Sequence, residues 1–156
     1  MQASRFATLI PECCSEVLDS MYFVSVASAV IRPGVSPTAC DEGFVFTVDY
    51  AGDFSGRFGV SVPAAAARTL AANFLGDDES ELSEEQISDV IAELSNMLCG
   101  SVMSQAATDA KFALSHPQRV PDASLTESGD VLEVELETGL GNIVVWASVE
   151  GVACRS

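Results

Sequence analysis

Leu132, Val134 and Leu136 alternate with Glu133, Glu135 and Glu137. Only an extended chain sends every second side chain the same way, so this stretch reads as a strand with one apolar face. Gly139-Leu140-Gly141-Asn142 turns it into a second strand, Ile143 to Val149. The same period appears earlier: Phe44, Phe46, Val48 and Tyr50 alternate with Val45, Thr47 and Asp49. Phe54, Phe58, Val60 and Val62 then alternate with Ser55, Arg57 and Ser61, across a turn at Ala51-Gly52-Asp53.

Helical spacing fills much of the remainder. Phe6, Leu9, Ile10, Cys13, Cys14, Val17, Leu18 and Met21 fall on one side of a helix from about Ser4 to Met21. Pro11 either kinks that helix or opens it. Tyr22 to Ile31 is apolar and β-branched enough for a strand, and Arg32 to Glu42 is a loop punctuated by Pro33, Gly34 and Pro37. Pro63 opens a second helix that runs through the alanines to Leu75 and closes at Gly76. Asp77 to Glu85 is an acidic linker ending in Ser83-Glu84-Glu85-Gln86, a capping box for a third helix. That helix runs from Glu84 past Gly100, with Ala110 its outer bound, and Pro117 to Pro121 is a loop. The order is helix, strands, two helices, strands. It predicts one α+β domain, with an antiparallel or mixed sheet packed against long helices.

A chain of 156 residues, 48% of them apolar, buries a core without metal or crosslinks. Its five cysteines are an odd number and form no C-x-x-C pair, a pattern of reduced thiols rather than a disulfide framework. The one histidine, His116, lies far in sequence from any cysteine, so no metal site is expected. The formal charge of −16 disfavours nucleic acid and anionic membrane surfaces, since phosphate binding rests on Lys and Arg. No apolar run reaches the ~20 residues of a membrane helix, and the N-terminal stretch, interrupted by Pro11 and Glu12, lacks a signal-peptide plan. A cytoplasmic protein is expected.

The third helix carries the functional signal. At 3.6 residues per turn Ile87, Ile91, Leu94 and Leu98 cluster within about 60°. Asp89, Glu93, Asn96 and Gly100 also cluster within about 60°, roughly 160° from the apolar line. Glu93 and Asn96, three apart, are surface neighbours. Gly100 costs about 1 kcal/mol against alanine in mid-helix. It is either a C-cap or a place where another molecule's backbone comes close. A Glu and an Asn on a solvated face are most often solvation alone, and Asp89 reads more simply as a helix-face charge. Serine-hydrolase and nucleotide-binding chemistry lack support: there is no G-x-S-x-G elbow, no Walker loop and no dinucleotide fingerprint, and His116 sits in a Ser-His-Pro turn.

The pattern Asp89-x-x-x-Glu93-x-x-Asn96-x-x-x-Gly100 resembles the signature helix of the CheC/CheX/FliY chemotaxis phosphatases. Tyr50-Ala51-Gly52 with Gly56, the helix closing at Leu75-Gly76, and Leu114-Ser115-His116-Pro117 are similar to the CheX branch. Family members of the CheC and FliY type carry two signature helices. Here the first helix offers Glu16-Val17-Leu18-Asp19, with Asp where Asn is required. The resemblance therefore implies a single CheX-like phosphatase domain over residues 1–156, with one site, and a homodimer. It implies dephosphorylation of the aspartyl phosphate of a CheY-like response regulator, with Mg²⁺ on the regulator and no cofactor in this chain. Asn96 would orient the attacking water, Glu93 would pair with the regulator's active-site lysine, and Asp89 and Gly100 would make partner contacts. The alternative is a module that binds regulators or chemotaxis scaffold proteins without catalysis.

Overall fold

Ile10, Cys14, Leu18 and Tyr22 recur every fourth residue and all are buried, forming the inner ridge of α1 (Gln2–Tyr22). This computed structural model describes residues 2–33, 43–52, 55–106, 112–120 and 130–150. Pro11 lies inside α1, so the helix does not begin there. The missing N–H is outweighed by the buried ridge, whose residues flank the proline. Tyr22, expected to begin a strand, is instead the last residue of α1, because it continues the same ridge. The strand β1 starts later (Val26–Pro33).

The paired β2 (Gly43–Ala51) and β3 (Ser55–Pro63) follow, joined antiparallel with Tyr50 opposite Gly56. The predicted turn residue Asp53, strand residue Phe54, and positions 34–42 of the predicted loop lie outside the described residues. Gly56 is required by packing. A Cβ there would stand 2.0 Å from the Ser148 carbonyl oxygen and 2.6 Å from the Tyr50 hydroxyl, which donates a hydrogen bond to that same carbonyl at 2.6 Å.

Pro63 caps α2 (Ala64–Leu75), and Gly76 ends it in a left-handed conformation with φ 74°. The third helix, α3, spans Glu84–Ala106. Its predicted capping box is present in both directions. The Ser83 hydroxyl accepts from the Gln86 N–H at 3.1 Å, and the Ser83 N–H donates to the Gln86 side-chain oxygen at 2.8 Å.

After α3 come two short strands, β4 (Ala113–Leu114) and β5 (Gln118–Arg119), both on the edge of β2. The stretch from Pro117 to Pro121 is therefore not all loop: β5 lies within it. Arg119 accounts for the difference, its guanidinium standing 4.3 Å over the Phe44 ring and 3.8 Å from the Glu84 carboxylate. The Ser115 N–H donates to the Asp49 carbonyl at 2.9 Å, and its hydroxyl accepts from the Asp49 N–H at 2.9 Å. The hairpin of β6 (Asp130–Thr138) and β7 (Gly141–Glu150) turns at Gly139-Leu140.

The strand order is β1-β6-β7-β3-β2-β4, with β5 also on β2, and every pairing is antiparallel. Phe46, Val48, Phe58, Val60, Val134, Leu136, Ile143 and Val145 form one core with the inner faces of all three helices. The helices thus share one face of the sheet. The opposite face holds a smaller buried cluster of Val45, Val131, Val144 and Trp146.

Candidate active site

Burial of Ile87, Ile91, Leu94 and Leu98 against the sheet fixes how α3 is rotated. Asp89 and Glu93 are exposed, and Asn96 and Gly100 half-buried, on the side that faces away. The stripe from Asp89 to Gly100 is about 16 Å long at 1.5 Å per residue. The side chains of Glu93 and Asn96 are engaged by none of the hydrogen bonds or ion pairs among the described residues. A carboxylate and a carboxamide therefore stand together, open to an incoming molecule.

Gly100 is not a C-cap, since α3 continues to Ala106. Nor does the fold forbid a side chain there: a Cβ would meet Leu114 Cδ1 at 3.9 Å, an ordinary contact. Gly100 borders a hollow of about 190 Å³ with Met103, Ser104, Phe112 and Leu114. The Leu114-Ser115-His116-Pro117 segment contributes to this place by pairing β4 to β2, which sets Leu114 beside the end of the stripe.

The other end of the stripe opens on a groove of about 420 Å³, lined by Phe74, Leu75, Gln86, Asp89, Val90 and Glu93. No local pattern in the sequence marks this groove. It is built from the end of α2 and, beneath it, the end of α1. Tyr22 stacks on Phe74 with ring centroids 5.0 Å apart, and the Tyr22 carbonyl accepts from Asn73 Nδ2 at 2.9 Å. Tyr22 is fully buried and its hydroxyl makes no hydrogen bond. Burial pushes that hydroxyl well above its ordinary pKa, and the negative charge of Glu93 raises it further. A four-residue ridge ending at Tyr22 was the sequence signal available, masked by the apolar run that follows.

Among the described residues the site offers no thiol nucleophile. Burial raises Cys13 and Cys14, and raises Cys99 to about 12 with a further contribution from Asp49. Thiols held that high stay protonated near neutral pH. Cys40 and Cys154 lie outside the described residues. Among the described residues no group of three or more His, Cys, Asp or Glu is placed to hold a metal ion, and no helix is long and apolar enough to cross a membrane.

Comparison with known proteins supplies the family. In solved structures the fold is similar to CheX from Desulfovibrio desulfuricans, with TM-score 0.74 and 16% identity, covering 93% of this chain and 99% of that one. It is similar to a CheX–CheY–BeF3–Mg²⁺ complex from Borrelia burgdorferi, with TM-score 0.75 and 17% identity, covering 94% and 98%. Thermotoga maritima FliY gives TM-score 0.62 and 15% identity, covering 99% and 92%. No curated protein matches the chain in sequence. The sequence profile of the chemotaxis phosphatase CheX matches residues 44–132, more than half of the chain and all of the stripe on α3. The chain belongs to the CheX family of chemotaxis phosphatases.

Proposed function

We propose that this protein accelerates hydrolysis of the aspartyl phosphate on a CheY-like response regulator in the cytoplasm. The observation that carries the reading is the exposed Glu93 one turn from the half-buried Asn96, both on the side of α3 opposite its buried ridge. A relative of the same fold from Borrelia burgdorferi was solved in complex with CheY, BeF3 and Mg²⁺. An acyl phosphate already hydrolyses unaided, so the catalyst has chiefly to place a water in line with phosphorus. The Asn96 oxygen accepts a hydrogen bond from that water and its nitrogen donates one. Water attacks phosphorus, the bond to the aspartyl oxygen breaks, and the aspartate leaves as a carboxylate. Mg²⁺, bound by the regulator, neutralises charge on the phosphoryl oxygens. Glu93 pairs with the regulator's lysine and so decides where Asn96 lands. Asp89 and Gly100 border the contact, the glycine letting the partner's surface come close.

Phosphate release from a phosphorylated receiver domain tests this. Native protein shortens the phosphoryl lifetime; Asn96→Ala binds but does not shorten it; Glu93→Ala weakens binding by about 2 kcal/mol or more. A lifetime unchanged by native protein overturns the enzyme and leaves the alternative, a non-catalytic binding module using the same stripe. A homodimer belongs to this reading too. Its support is β1, which pairs with β6 along one edge only among the described residues and leaves Val30 and Ile31 exposed. Light scattering of native protein and Val30→Lys tests it: a native monomer overturns the dimer.

A further inference from the structure

Among the described residues two helices are followed by a residue of positive φ, and only one of the two is glycine. At the end of α2, Gly76 has φ 74°, and the Gly76 and Asp77 N–H groups both donate to the Ala72 carbonyl, at 2.8 and 3.2 Å. After α1 the residue is Phe23, with φ 59°, and the Val24 N–H donates to the Leu18 carbonyl at 3.0 Å. Glycine is the usual residue here because a Cβ crowds the following carbonyl, at a cost of roughly 1–2 kcal/mol. Phenylalanine incurs that cost with little gained inside the fold, since the residue is 73% exposed. An aromatic ring held in water on a strained backbone is the kind of outlier that marks a surface used for something else.

Its surroundings indicate the use. The Tyr22 carbonyl, bonded directly to the Phe23 nitrogen, is held by Asn73 at 2.9 Å, which sets the Phe23 backbone near the end of α2. Those residues, Phe74 and the 42% exposed Leu75, line the groove that Asp89, Val90 and Glu93 complete. Apolar groups and two carboxylates therefore meet at one end of the stripe. The complementary surface is a cationic side chain flanked by apolar ones. A chain of charge −16 draws no long-range attraction toward an acidic partner, so its affinity has to come from short-range contacts of this kind.

We infer that Phe23, with Leu75, is an apolar anchor that seats the response regulator beside its ion pair with Glu93. This rests on the proposed function and names the part of the site that selects the partner. Buried aromatic anchors dominate many interfaces, each truncation costing more than tenfold in affinity when the ring sits in a pocket.

The experiment measures affinity for a panel of CheY-like receiver domains loaded with beryllofluoride and Mg²⁺, together with the melting temperature of each variant. Phe23→Gly is expected to raise the melting temperature by about 3 °C, by relieving the backbone, while weakening binding about tenfold. Phe23→Asn, also tolerant of positive φ, weakens binding similarly, and Phe23→Trp restores it to within about twofold of native. A loss of affinity in a more stable protein is not a folding defect. Phe23→Gly binding as tightly as native, while Glu93→Ala binds more weakly, overturns the anchor and leaves the phosphatase reading standing. Native protein that binds no receiver overturns both.

Discussion

Helices α1 and α3 are near twins in form and differ at the residues that the proposed chemistry uses. They span 21 and 23 residues and pack on each other across the same face of the sheet. Each presents a Glu with an Asp or Asn three residues on: Glu16 with Asp19, and Glu93 with Asn96. Glu16, Asp19 and Glu93 are exposed. Two things separate the pairs. Asp19 is a carboxylate, able only to accept hydrogen bonds and repelled by a phosphoryl dianion, whereas Asn96 is neutral and both accepts and donates. The depression beside Glu16 and Asp19 is lined by Glu12, Ser15, Ser25 and Val26, while the groove beside Glu93 carries Phe74, Leu75 and Val90. A residue pair three apart is a motif; its neighbours make it a surface that another protein can dry and hold.

The sharpest test of that contrast is Asn96→Asp, which gives α3 the chemistry of α1. Phosphate release from a phosphorylated receiver should fall about 100-fold, the loss expected when the reacting water is misplaced, with circular dichroism unchanged. A variant that keeps native turnover would break the comparison.

Both helices also bury thiols, Cys13 and Cys14 on α1 and Cys99 on α3. Burial, then the charge of Asp49, lifts Cys99 from 9.0 to about 12, so the unfolded thiol ionises first as alkali rises. Folding stability should therefore be intact below about pH 9 and fall as pH climbs toward 12. Urea midpoints at pH 8 and pH 10.5 measure this, and Cys99→Ala should shrink the difference. Equal midpoints in native protein would show that the back of α3 is not sealed.

A smaller effect separates the starts of the helices. The first turn of α3 is held by the Ser83–Gln86 exchange, so Ser83→Ala should lower unfolding free energy by about 1 kcal/mol in urea titration. The smallest expected effect is the reverse conversion. Asp19→Asn completes a Glu-x-x-Asn on α1 yet should add no measurable phosphate release in an Asn96→Ala background, because its surroundings stay polar. Activity recovered there would mean that the motif alone suffices.

What the sequence determined by itself was everything set by local periodicity. The alternation of Leu132, Val134 and Leu136 fixed a strand, and the four-residue spacing of Ile87, Ile91, Leu94 and Leu98 fixed which side of α3 faces out. Ser83 with Gln86 and Pro63 with Gly76 marked helix ends, because a cap is a contact among residues three or four apart. That Glu93 and Asn96 share the outward side of α3 was legible for the same reason. Tertiary structure decided what depends on distant segments meeting. Tyr22 reads locally as the start of a strand, and its burial on the α1 ridge, stacked on Phe74, keeps it in α1. Gly100 was open between cap and mid-helix notch until α3 was seen to run on to Ala106. The groove beside Glu93, and the left-handed Phe23 at α1's end, arise where α1 and α2 terminate against each other. Such encounters are set by the packing of whole helices on the sheet, which no short stretch of sequence records.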